Sequence, residues 1–124
     1  MNIKETVDRV HELVREKGFW DNERNVGELL MLVVSELGEA MEAHRKGRFC
    51  DPVELAWFFS TNDAAHAIQE VFQEKIKDTF EDEIADAIIR LLDLCGGLGI
   101  DIERHIEAKI RYNQTRERLH GKNY

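Results

Sequence analysis

Four acidic side chains draw attention by where they sit. The stretch from Asn25 or Val26 to about Lys46 reads as one uninterrupted helix. At about 100° per residue, Glu36 falls among Leu29, Leu32, Val33, Ala40 and Ala43, with Glu39 at the edge of that apolar arc. Glu28 and Glu42 already supply acids for the solvated side. A carboxylate turned toward a core is costly unless it is paired or bound to a metal; a buried salt bridge and a metal site both answer to that description. Glu83 and Asp86 repeat the i,i+3 spacing on a later helix. There Ile84, Ile88, Leu91, Leu92 and Cys95, with Ile89 and Leu94, cover most of the circumference and leave Glu83, Asp86, Arg90 and Asp93 on one narrow side. Asp86 and Arg90 alone could be an ordinary i,i+4 pair. Residues three apart share a helix face, so if the two faces meet, four carboxylates surround one polar pocket. They repel unless protonated, paired with bases or neutralised by cations. Oxygen-only ligands suit magnesium or manganese, not a Cys/His zinc site.

A positive counterpart follows near the end of the chain. Lys109, Asn113, Arg116 and His120 recur at helical spacing on the side of Ile102 and Ile106. Arg116 could grip phosphate in a forked geometry, Lys109 could supply a point charge, and Asn113 could orient substrate or water. Tertiary salt bridges are the plainer reading of the same residues. His11, His44, His66 and His105 show no metal-ligand spacing.

These side chains need helices to hold them, and the chain supplies little else. Ile3, Val7, Val10 and Val14 predict a helix over 3–17, stopped by Gly18; Gly47 is a natural end for the second helix. Asp51 and Pro52 suit the start of a short helix, and Asn62 or Asp63 could cap another running to about Lys77. Asp78 and Thr79 offer overlapping caps, each followed three residues on by an acid, Glu81 and Asp82. A helix over 80–95 follows, ended by Gly96, Gly97 and Gly99, and a last one capped by Asp101 reaches about Leu119. No alternation demands a strand, and no Gly-rich phosphate loop is present. The expectation is a single all-α domain over 1–124, a helical bundle.

The net charge of −8 argues against generic binding to nucleic acid or anionic membrane. Cys50 and Cys95 make no disulfide framework, and no stretch reaches transmembrane length, so a reduced, cytoplasmic protein is expected. A small chain with a mostly apolar central helix also predicts a homodimer or homotetramer, with the aromatic 57–59 segment a candidate contact, lid or local core.

The motifs resemble those of the MazG-like nucleotide pyrophosphohydrolases, within the all-alpha NTP pyrophosphatase superfamily. The likeness begins at Lys17-Gly18-Phe19-Trp20-Asp21 and sharpens at Ser35-Glu36-Leu37-Gly38-Glu39-Ala40, similar to the family's Glu-x-x-Glu motif. Phe80-Glu81-Asp82-Glu83-Ile84-Ala85-Asp86 resembles its Glu-x-x-Asp motif, and 109–116 with His120-Gly121-Lys122 resembles the terminal substrate-binding segment. The resemblance implies magnesium, with manganese a possible substitute, held by Glu36, Glu39, Glu83 and Asp86. It also implies phosphates near Lys109, Asn113 and Arg116, with His120 and Lys122 beyond them. It implies cleavage of a nucleoside triphosphate to the monophosphate and pyrophosphate. A workable mechanism for that reaction has Glu39 accepting the water proton, with Lys109 as a further catalytic candidate. Trp20 or Trp57 could stack on the base, or serve as core aromatics. The alternative is a noncatalytic nucleotide-binding or regulatory helical protein. The long 48–77 stretch departs from the minimal pattern.

Overall fold

A computed structural model describes residues 2–61 and 64–121. The described residues are all-helical: α1 (Ile3–Glu16), α2 (Val26–Arg45), α3 (Pro52–Ser60), α4 (Ala65–Lys75), α5 (Phe80–Leu98), α6 (Ile102–Gln114) and a closing 3₁₀ turn, Arg118–Gly121, with no strand among them. The chain forms two compact units, Met1–Glu23 with Leu92–Tyr124, and Arg24–Leu91.

In the second unit, Asn25 caps α2, its side-chain oxygen accepting the Glu28 N–H at 3.0 Å. Leu29, Val33, Glu36, Ala40 and Ala43 form the helix's buried stripe. Gly47, at φ +67°, ends α2 in the left-handed conformation. Its N–H reaches His44 O and that of Arg48 reaches Ala43 O, closing off the last carbonyls. Asp51 accepts the Val53 N–H at 2.8 Å and Pro52 opens α3, as the sequence predicts. α3 packs on α4, with Phe58 edge-on to Phe72. α4 ends at Lys75, two residues earlier than its apolar pattern suggests; the proposed caps Asn62 and Asp63 lie outside the described residues. The start of α5 uses the predicted Thr79–Asp82 pair, whereas the Asp78–Glu81 pair gives way to other partners. Asp82 donates its N–H to Thr79 Oγ1 while its carboxylate accepts the Asp78 N–H. Glu81 instead accepts the Cys50 N–H at 2.8 Å.

In the first unit, α1 packs on α6, and Val7, Leu94 and Cys95 are buried. Two expected helix ends are corrected here. α5 does not stop at Cys95 but runs through Gly96 and Gly97 to Leu98, and Gly99 alone, at φ +67°, turns the chain. Gly96 and Gly97 are instead places of close approach. A Cβ on Gly96 would lie 2.6 Å from His11 Cβ, and one on Gly97 2.2 Å from the Trp20 ring. α6, capped by Asp101 as expected, ends at Gln114 and not at Leu119. Thr115 donates its hydroxyl to Tyr112 O at 2.7 Å, and Leu119 takes a positive φ of 57°.

Candidate metal centre

The centre is built within the second unit by α2 and the N-terminal half of α5. On α2, Glu36 holds the middle of the buried stripe at 8% exposure, as the apolar arc predicts; Glu39, one turn on, is exposed. On α5, Glu83 is 5% exposed and Asp86 is half-buried. Glu36, Glu39 and Glu83 each bring a carboxylate oxygen within 4.8 Å of the other two. Asp86 is not one of the three that converge, so the structure brings together three of the four acids that the spacing singles out.

Arg90 donates its Nε–H to Glu36 Oε1 at 2.9 Å. It therefore reaches the other helix, in place of the local pairing with Asp86 that the i,i+4 spacing suggests. The signal that could have found it is its register: 83, 87, 90 and 94 follow the same four-three-four stripe that buries Glu36 on α2. One guanidinium does not balance three carboxylates. Glu83 Oε2 is buried with no hydrogen-bond partner among the described residues, an arrangement that costs free energy unless a proton or a cation fills it.

The proton affinities follow from this crowding. Burial raises the Glu36 carboxyl, but the Arg90 hydrogen bond and charge, with hydrogen bonding from Glu39 and Glu83, outweigh it and leave Glu36 below its ordinary value. Burial, and then the hydrogen bond and charge of Glu39 with a contribution from Glu36, push Glu83 up to about 7. Asp86 rises to about 6 through burial and then the charges of Asp82 and Glu36, against the lowering effect of Arg90. The donor set is hard, all-oxygen and anionic, with a buried oxygen lacking a partner, and it fits a divalent cation of the magnesium, manganese or calcium kind. These three acids, two of them buried, could hold a metal ion.

A second convergence, Asp78, Asp82 and Glu83, has a local explanation, because Asp82 is engaged in capping α5.

The remaining candidates belong to the first unit. Lys109 Nζ and the Arg116 guanidinium lie 5.1 and 5.5 Å from the centre of the Tyr112 ring, so two cations share one aromatic ring. Arg116 does so from the turn after α6, which corrects the expected continuation of the helix through 116 and 120. Asn113 Oδ1 is buried with no hydrogen-bond partner among the described residues. Lys122 and the His120 side chain lie outside the described residues. Trp20 donates its indole N–H to both Asp93 oxygens at 3.0 and 3.1 Å and sets its ring edge-on to His11. No described helix is long and apolar enough to cross a membrane.

Searches against protein-family models, curated proteins and solved structures found no match to this chain.

Proposed function

We propose that this chain is a MazG-like, magnesium-dependent nucleoside triphosphate pyrophosphohydrolase of the cytoplasm, converting an NTP or dNTP and water to the monophosphate and pyrophosphate. The observation that carries the reading is the convergence of Glu36, Glu39 and Glu83 around a buried oxygen without a partner, on the two motifs whose order resembles that family. Magnesium would be held by Glu36, Glu39 and Glu83, with Asp86 beside them; its contribution is to neutralise and orient the phosphates and to lower the cost of generating a nucleophile from water. Arg90 fixes the Glu36 carboxylate and so its direction. Glu39 is exposed and is the member able to accept the proton of the attacking water. Lys109, Asn113 and Arg116 are the proposed phosphate-binding groups, a reading supported by the two cations near the Tyr112 ring and by the buried Asn113 amide oxygen that lacks a partner among the described residues.

We also propose self-association. Leu30, Val34, Leu37 and Met41 form a four-three-four stripe along α2 and are each 46–54% exposed, while no large side chain is fully buried among the described residues. A second copy would cover that stripe. Light scattering is expected to give a dimer or tetramer; a monomer at working concentration would remove this part of the proposal.

The deciding experiment is a panel of canonical and modified triphosphates with magnesium, the products resolved by chromatography. Monophosphate with pyrophosphate is the expected outcome. Diphosphate with orthophosphate would overturn the bond assignment, and binding without turnover would make the protein a nucleotide sensor.

A further inference from the structure

Residues 48–77, the stretch that departs from the resemblance, frame a feature that the reaction above does not use. Where α3 and α4 pack together, a cavity of about 430 Å³ opens between their aromatic side chains and the first turn of α5. That size lies within the range of small-molecule sites, and a predominantly apolar wall with a few convergent polar groups is their usual composition. Leu55, Phe58, Phe59 and Phe72 line the apolar side, and Glu81 and Asp82 line the other. No basic side chain contributes to the wall. Both acids are held in place: Glu81 Oε2 accepts the Cys50 N–H at 2.8 Å and Asp82 Oδ2 the Asp78 N–H at 2.9 Å. Each is thus oriented through one oxygen, leaving the second for a donor on a ligand. The Phe80 N–H to Arg48 O bond at 2.8 Å pins the same loop to the helix start.

Through Asp82 the cavity neighbours the metal centre. Asp82 has a carboxylate oxygen within 4.8 Å of one on Glu83, and Glu83 has one within 4.8 Å of Glu36 and Glu39. A ligand seated against Phe58 and Phe72 with an edge on Asp82 lies one carboxylate away from the proposed magnesium ligands.

We propose that this cavity receives the nucleobase of the triphosphate, and that its acidic edge selects bases carrying an exocyclic amino group over those that present carbonyls. Aromatic walls stack on any base. Carboxylates accept hydrogen bonds but cannot donate them, so an amino group is satisfied at this edge and a carbonyl oxygen is left facing negative charge. The inference rests on the pyrophosphohydrolase reading, and it adds the part of the substrate that the metal centre does not read.

The test measures calorimetric binding of nonhydrolysable dCTP, dATP, dUTP and dTTP analogues with magnesium. The proteins are the wild type, Glu81→Gln and Leu55→Trp, each checked for helicity and for oligomeric state. In the wild type, the amino-bearing analogues are expected to bind about tenfold or more tightly than the dUTP and dTTP analogues, the size of one hydrogen bond to a charged group. Glu81→Gln should level that preference, because an amide both donates and accepts. Leu55→Trp, which fills the cavity, should weaken all four by about tenfold or more while leaving magnesium affinity unchanged. Tight binding that neither variant alters would place the base elsewhere and overturn this inference while the pyrophosphohydrolase reading stands. A change in oligomeric state on Leu55→Trp, with binding intact, would make the cavity a contact between copies and overturn it too. Failure of the wild type to bind any analogue would remove the underlying reading, and this inference with it.

Discussion

Ten residues apart on α5, Glu83 and Asp93 are both acids and both almost fully buried, at 5% and 6% exposure, yet their surroundings differ in kind. Asp93, in the first unit, accepts the Trp20 indole N–H on both oxygens and lies 2.9 Å from His11 Nδ1. Glu83, in the second, meets two further carboxylates and leaves Oε2 without a partner. Burial alone therefore does not mark a functional acid. A buried carboxylate surrounded by donors is part of the architecture, whereas one surrounded by other acids is waiting for a counter-charge.

That contrast is open to test. Glu83→Gln is expected to lower magnesium-dependent turnover by at least about a hundredfold, since even outer-shell changes at metal sites cost up to about that much, and to leave the fold intact by circular dichroism. Retention of full activity would erase the distinction. Asp93→Ala should do the reverse, costing about 2 kcal/mol in urea unfolding because it removes the acceptor shared by the half-buried Trp20 indole N–H and the His11 ring, with magnesium affinity unchanged by calorimetry. Gly97→Ala probes the same cluster sterically. Its Cβ would lie 2.2 Å from the Trp20 ring, so a loss of about 2 kcal/mol is expected, together with a shift in tryptophan fluorescence.

The smallest effect is in pH. Glu83 rises from 4.5 to about 7 and Asp86 from 3.8 to about 6 on folding. The folded, metal-free chain therefore holds more protons than the unfolded chain between about pH 4 and 7, and its stability falls as pH rises through that window. The lowered Glu36 acts in the opposite sense, below its ordinary value of 4.5. A net fall is expected in urea titrations. Saturating magnesium should reverse the slope, because the metal binds the deprotonated cluster. A metal-free protein whose stability rises across that window would contradict the crowding of the three acids.

The sequence makes α2 and its acids legible because Glu36 interrupts an apolar arc, a departure from pattern that needs no knowledge of neighbours. Asp51, Pro52, Gly47 and Asp101 act locally and are legible for the same reason. Gly96 and Gly97 are not, because a glycine that ends a helix and one that admits a neighbour look alike until His11 and Trp20 are in place. Arg90 is ambiguous between a partner one turn away and one on another helix, and only tertiary packing decides. The spacing through Arg116 and His120 suggests a longer helix, but the Thr115 hydroxyl and the positive φ at Leu119 end it. The cavity between α3 and α4 could not be read at all, since its walls come from segments with no shared periodicity.

The division of the chain also has a consequence for the order of events during synthesis. The second unit is one continuous stretch, Arg24–Leu91, whereas the first joins Met1–Glu23 to Leu92–Tyr124. The His11–Asp93 and Lys4–Glu103 bonds span 82 and 99 positions. Pairings so distant in sequence carry a large loop-closure cost and form late. As the chain leaves the ribosome, α2 and the acidic half of α5 can come together while the other unit still lacks its second half. That order would let the acidic centre assemble while α1 awaits its partner segment, Leu92–Tyr124.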